Sequence, residues 1–143
     1  MRNRIASTVL CLALGPLTLS GQALAHGTEG HGKMVMDAQM KKLHAMMPMF
    51  SVASAQLETA LEKGDAPTAG REAGKILTAI PDLKQSKPHK NVKQRKKFLE
   101  LATSLDQSVT ATNDLAQKGD FAGAKVTFKK VEEVCAACHA KFR

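Results

Sequence analysis

From Met36 to Phe142 apolar residues recur at alternating steps of three and four, and this spacing constrains the fold more than any other feature. Met36, Met40, Leu43, Met47, Phe50, Leu57 and Leu61 form one helical stripe, with Ser54 filling its single gap. Lys63-Gly64-Asp65 ends that helix, with glycine available for a left-handed cap. Pro67 suits the first turn of a second helix through Ala69, Ala73, Ile76, Leu77 and Ile80. Pro81 and Pro88 bracket a polar connection from Pro81 to Asn91, with Asn91 as the expected N-cap of the third helix. That helix carries Phe98, Leu101, Ala102, Leu105, Val109, Thr112, Leu115 and Ala116 on one side, and Lys118-Gly119-Asp120 then repeats the earlier turn. The fourth stripe runs Phe121, Ala124, Phe128, Val131, Cys135, Cys138, Phe142. No segment alternates with period two, so strands are not expected. The expected fold is all-α, an antiparallel up-down-up-down four-helix bundle.

The N-terminus has a different character. Arg2 and Arg4 precede an apolar run from Ile5 to Leu19, and Ala23-Leu24-Ala25 offers small residues for cleavage. Residues 1–25 therefore read as a secretory signal peptide, with 26–143 as one exported, periplasmic domain. The apolar run is too short for a good membrane span, and none is expected elsewhere. Of the three cysteines, Cys11 leaves with the leader, so Cys135 and Cys138 remain.

Those two belong to Cys135-Ala136-Ala137-Cys138-His139, the C-x-x-C-H pattern of a c-type haem attachment site. Two thiols three residues apart face one way from a helix, so each can form a thioether to one haem vinyl group. The adjacent imidazole of His139 then serves as an axial iron ligand. A disulfide or a metal site is the alternative for such a pair. Thioredoxin-like enzymes, however, place theirs at a helix N-terminus after a strand, where the thiol pKa falls. Here the pair ends a helix. One covalent haem c is thus expected, with Phe128 and Val131 packing on the porphyrin. A core with no Trp, no Tyr and only five Phe gains from such a filler.

The formal net charge is +8, and losing Arg2 and Arg4 lowers it by two. Between Lys84 and Lys97 lie Lys84, Lys87, His89, Lys90, Lys93, Arg95, Lys96 and Lys97 with no acid. This run is either a solvated face or a docking patch for an acidic redox partner, where charge would speed association. Nucleic acid is not expected, since stacking aromatics are missing from the basic segment. His26 and His31 sit in a Gly-rich leader and are read as flexible rather than metal-binding.

A haem motif at the C-terminus of a secreted four-helix chain, ending Cys-Ala-Ala-Cys-His-Ala-Lys-Phe-Arg, resembles the cytochrome c′ family, the class II c-type cytochromes. The resemblance implies haem bound covalently by Cys135 and Cys138, His139 as fifth ligand, and a first-helix residue on the distal side. It also implies Arg143 near the haem edge and a possible homodimer through the first two helices. Such proteins are low-spin electron carriers with a distal Met, or high-spin with an apolar distal residue and able to bind NO or CO. His139 stands as far beyond Gly119 as His44 stands before Gly64, so the iron's level on the first helix is near His44. One turn of latitude admits Met40, Leu43, His44, Met46 and Met47. The family's distal position favours the Met46–Met49 end, and Met47, on the stripe, is the first choice for metal ligand. Pro48 could re-aim it, or the helix could start there. Leu43 or Phe50 would shape a five-coordinate pocket instead, and His44, one place off the stripe, reads as a surface histidine. A haem-free metal-binding or disulfide bundle is the third hypothesis. No catalytic constellation is evident, so the expectation is a one-electron carrier and not an enzyme.

Overall fold

The computed structural model describes residues 38–143. The expected leader 1–25, His26, His31 and the start of the first stripe at Met36 lie outside the described residues. Within them the chain forms four helices and no strand: α1 Ala38–Lys63, α2 Ala66–Gln85, α3 Arg95–Gln117 and α4 Phe121–Phe142. Each helix packs along the next in sequence, while α1 and α4 meet more sparingly. This is the expected up-down-up-down bundle.

One device is used twice at the same end. Gly64 and Gly119 both take left-handed backbone, with φ of 69° and 79°, where a side chain would be strained. The aspartate after each then caps the next helix. Asp65 Oδ1 accepts from the Thr68 amide at 3.0 Å, and Asp120 Oδ1 from the Gly123 amide at 2.8 Å. The Phe121 ring lies beside Gly64, so the two turns are neighbours.

The buried stripe of α1 is Leu43, Met46, Phe50, Ala53, Leu57, Ala60 and Leu61. It differs from the expected one by a slight rotation. Ala53 rather than Ser54 fills the gap, Met46 enters the core, and Met47 is left half-buried on its flank. Pro48 does not begin the helix; α1 runs through it at an exposed position. The stripes of α3 and α4 are as the spacing predicts. In α2 the core also takes in Glu72, 1% exposed. Its carboxylate accepts from Lys75 Nζ at 2.7 Å and from Arg71 Nε at 3.0 Å. With its amide turned to donate, Gln56 of α1 reaches the same group at 2.9 Å. The bond from Lys75, then the Arg71 guanidinium, hold this carboxyl below the usual glutamate range against the opposing effect of burial.

The connection between α2 and α3 departs from expectation. Helix α2 passes through Pro81 and ends at Gln85, so Pro81 does not open the connection. Pro81 is exposed, where water can serve the carbonyl that a proline leaves without its donor. Asn91 is not the N-cap of α3. It takes φ of 53°, and the cap position falls to Gln94, whose side chain makes no capping bond. Asn91 instead sends its amide to α4: Nδ2 donates to the Lys141 carbonyl at 2.6 Å.

Candidate haem site

At the end of the bundle opposite the two glycine turns the four helices do not close on one another. A cavity of about 460 Å³ lies there, within the range of cofactor pockets. Helix α4 contributes Val134, Cys135, Cys138, His139 and Phe142, with Arg143 beyond it. Their spacing of three and four puts them on one strip of the helix. Helix α1 lends Leu43, His44, Met47, Pro48, Phe50 and Ser51; Leu83 comes from α2 and Phe98, Leu101, Ala102 and Leu105 from α3. The wall is thus mostly aliphatic and aromatic, with thiols, imidazoles and a thioether as its few polarisable groups.

The last wall is the α2–α3 loop, through Pro88 and His89. It is fixed by capping the carbonyl end of α4, where a helix leaves acceptors without donors. The amides of His89 and Lys90 donate to the Phe142 carbonyl at 3.1 and 3.2 Å. Arg95 braces the loop from the other side, donating to the carbonyls of Ser86, at 2.6 Å, and Lys84. Its guanidinium lies 5.4 Å from the centre of the Phe98 ring, which in turn meets Phe142 edge-on at 5.3 Å. The His44 and His89 rings, from α1 and the loop, also meet edge-on, their centres 4.8 Å apart.

Both cysteines are free thiols and half-buried. Burial pushes each thiol up from its ordinary pKa; the Glu132 charge adds to this at Cys135, and Cys135 itself adds at Cys138. Standing near the carbonyl end of α4 they lack the helix N-terminus that activates a redox dithiol. His139 is exposed at the cavity rim. Among the described residues no group of three or more His, Cys, Asp or Glu is placed to hold a metal ion by itself.

The residues singled out from the sequence therefore divide. Cys135, Cys138, His139, Arg143 and Met47 share the one cavity. Phe128 and Val131 do not line it; they are 4% and 1% exposed, in the closed core further along α4. Of the other distal candidates, Leu43 and His44 line the cavity, as does Phe50, whereas Met46 is in the core and Met40 and Met49 are not on the wall. Missed from sequence were Leu83, Pro88, His89 and the face of α3, which only the fold brings to the site. The donor set suits a haem c: paired thiols and an adjoining imidazole on one wall, a thioether on another, and an apolar space between.

No helix among the described residues is long and apolar enough to cross a membrane. No curated protein and no solved structure matches the chain. A family model does. Residues 81–143 match cytochrome C′, over a segment that holds the end of α2, the loop, α3, α4 and the C-x-x-C-H residues. That family implies a covalently bound haem c and a c-type cytochrome that carries electrons or binds a small ligand. Its match to the segment that builds three walls of the cavity, on a four-helix bundle, supports the cytochrome c′ family for this chain.

Proposed function

We propose that this chain is an exported, periplasmic monohaem one-electron carrier whose iron is ligated by His139 and Met47. The observation that carries the reading is that Met47 is the one methionine among the cavity's lining residues. A haem c supplies a one-electron iron couple when bound. Cys135 and Cys138 would hold it covalently through Sγ, and the single C-x-x-C-H sets the number at one. His139 would ligate from α4 and Met47 from α1, so that residues of two helices would hold the iron. Such ligation leaves no position open for substrate, which suits a carrier better than an enzyme. Leu43, Phe50, Leu101 and Phe142 keep water from the site, and Arg143 at the rim offers a cation to the haem's carboxylates. Pro48 removes one helical hydrogen bond beside Met47 and gives that turn latitude to present its thioether. Partners are then redox proteins. Residues 1–25 act as signal peptide, and 26–143 form the mature domain.

The test is the absorption spectrum of the holoprotein, oxidised and reduced, with and without CO. Sharp low-spin bands and no response to CO are expected, and M47L is expected to become high-spin and CO-reactive while M46L stays as wild type. A wild-type spectrum that is high-spin and shifts with CO would overturn Met47 ligation. It would favour the second reading, a five-coordinate NO- or CO-binding protein whose distal wall is Leu43 and Phe50, both already on the cavity.

A further inference from the structure

The basic run of residues 84–97 is brought by the fold to the edge of the haem cavity. Its loop caps the last turn of α4, which carries His139, through His89, Lys90 and Asn91. Not all its cations are available. Lys84 pairs with Asp106 at 2.9 Å, Lys97 with Glu100 at 3.3 Å, and Arg95 is spent on loop carbonyls. Lys90, Lys93 and Lys96 are exposed and form no ion pair among the described residues. Among them in sequence is Val92, 42% exposed, one of three large apolar side chains so exposed in the described chain.

Stability does not account for this arrangement. The first turn of α3 holds Arg95, Lys96 and Lys97 and no acid, at the helix end where cations are disfavoured. Unpaired cations flanking an exposed valine in sequence, on a loop already braced by Asn91 and Arg95, make a preorganised binding surface that loses little entropy on docking. Building on the carrier function proposed above, we propose that Lys90, Lys93 and Lys96, with Val92, form the docking surface for an acidic electron-transfer protein. A protein suits it better than an anionic membrane. One valine offers little to bury in lipid, whereas lysines beside a small apolar contact steer an acidic partner to the loop that walls the cavity. On docking one electron passes between the partner's centre and the iron, with no bond made or broken.

The experiment uses haem-loaded protein and, as probe, a small acidic iron–sulfur protein of low potential in its reduced form. Stopped-flow reduction of the ferric holoprotein is expected to slow about tenfold from low to physiological ionic strength. K90E/K93E/K96E is expected to lower the low-salt rate at least about tenfold and to flatten the salt dependence. The charge-matched K63E/K118E/K125E, at the glycine-turn end, is expected to change it less than about threefold. In parallel, amide shifts of the isotope-labelled protein should move at residues 86–97 on adding the probe. Equal slowing in the two triple variants would reduce the effect to net charge and overturn the proposal. So would unmoved loop amides, or lysine-dependent binding to phosphatidylglycerol vesicles without binding to the probe, which would assign the surface to lipid. The amide map reads docking whether or not Met47 ligates iron, while the absorption spectrum with CO reads ligation alone, so either reading can fail without the other.

Discussion

Where the two Lys-Gly-Asp turns meet, the helices close on Leu57, Ala60, Leu61, Ala69, Ala73, Ala116 and Ala124, none more than 2% exposed. Alanines at facing positions let the backbones approach and leave nothing between them. At the other end the same stripes present Leu43, Met47, Phe98, Leu101 and Leu105, and the cavity lies among them. Side-chain size differs more than pattern does. One end is filled by its own residues, and the other encloses the cavity in which the proposed haem would sit. The long charged loop is at the unfinished end, whereas the closed end has two short turns.

The largest effect expected from this contrast comes from C135A/C138A. It should carry no haem after denaturation, by mass, and its thermal midpoint should fall by roughly ten degrees or more, since 1 kcal/mol is worth about 4–8 °C in a domain of this size. Hydrogen exchange should rise most in residues 43–51 and 86–94, with amides around Leu57 keeping more of their protection. Uniform loss along the helices would mean that the two ends fold as one unit and the contrast is only geometric.

Leu57→Ala probes the closed end. Leu57 is fully buried, and its truncation should cost about 2–5 kcal/mol by denaturant unfolding. The absorption bands and CO response of the holoprotein should stay as in wild type. A shifted spectrum would show that packing at the glycine turns sets ligand geometry at the far end.

Much of the closed end was legible in the sequence, because three-four spacing and a glycine followed by aspartate are local signals. Among the described residues a helix forms on each segment the spacing marks, and both Lys-Gly-Asp turns end a helix as expected, though α2 runs on past Pro81 and α3 starts later than Asn91 suggests. Cys135, Cys138 and His139 were legible for the same reason. The open end was less so. A cavity wall and a core position carry the same apolar residue types, so Phe128, in the core, and Leu101, on the wall, look alike in sequence. On α1 a rotation of less than one residue exchanges Met46 and Met47 between core and cavity. Local signals also misplaced the loop. Pro81 looks like a helix end but stands on an exposed face that tolerates it. Asn91 looks like an N-cap, yet its amide goes to Lys141, fifty residues away in sequence.

A smaller effect separates the two turns. Gly64→Ala and Gly119→Ala each force an L side chain into left-handed backbone, expected to cost about 1–2 kcal/mol. An added Cβ would meet nothing within 4 Å at Gly119, but at Gly64 it would touch the Phe121 ring at 3.6 Å, an ordinary contact. Gly119→Ala should therefore cost at least as much as Gly64→Ala, and asparagine at either position should recover part of the loss. A Gly64→Ala penalty far above that of Gly119→Ala would show that the contact between the turns is tighter than the closed end requires.

The smallest effect belongs to Glu72, the one buried acid among the described residues. Its partners Arg71 and Lys75 are largely exposed, so the pairs are worth at most about 1 kcal/mol. A carboxyl whose pKa is lower in the folded than in the unfolded chain stabilises the fold above the ordinary glutamate range. It ceases to do so as pH falls through that range and then through its own lower value. Wild type should thus exceed E72Q in thermal midpoint at pH 7, and the gap should close on going to pH values below about 4. A gap unchanged by acid would mean that shape and the bond from Gln56, which glutamine can keep, matter here more than charge. Because Gln56 and Glu72 join α1 to α2 on the side of the glycine turns, the spectrum should not follow this titration. If it does, the closed end is not independent of the iron site.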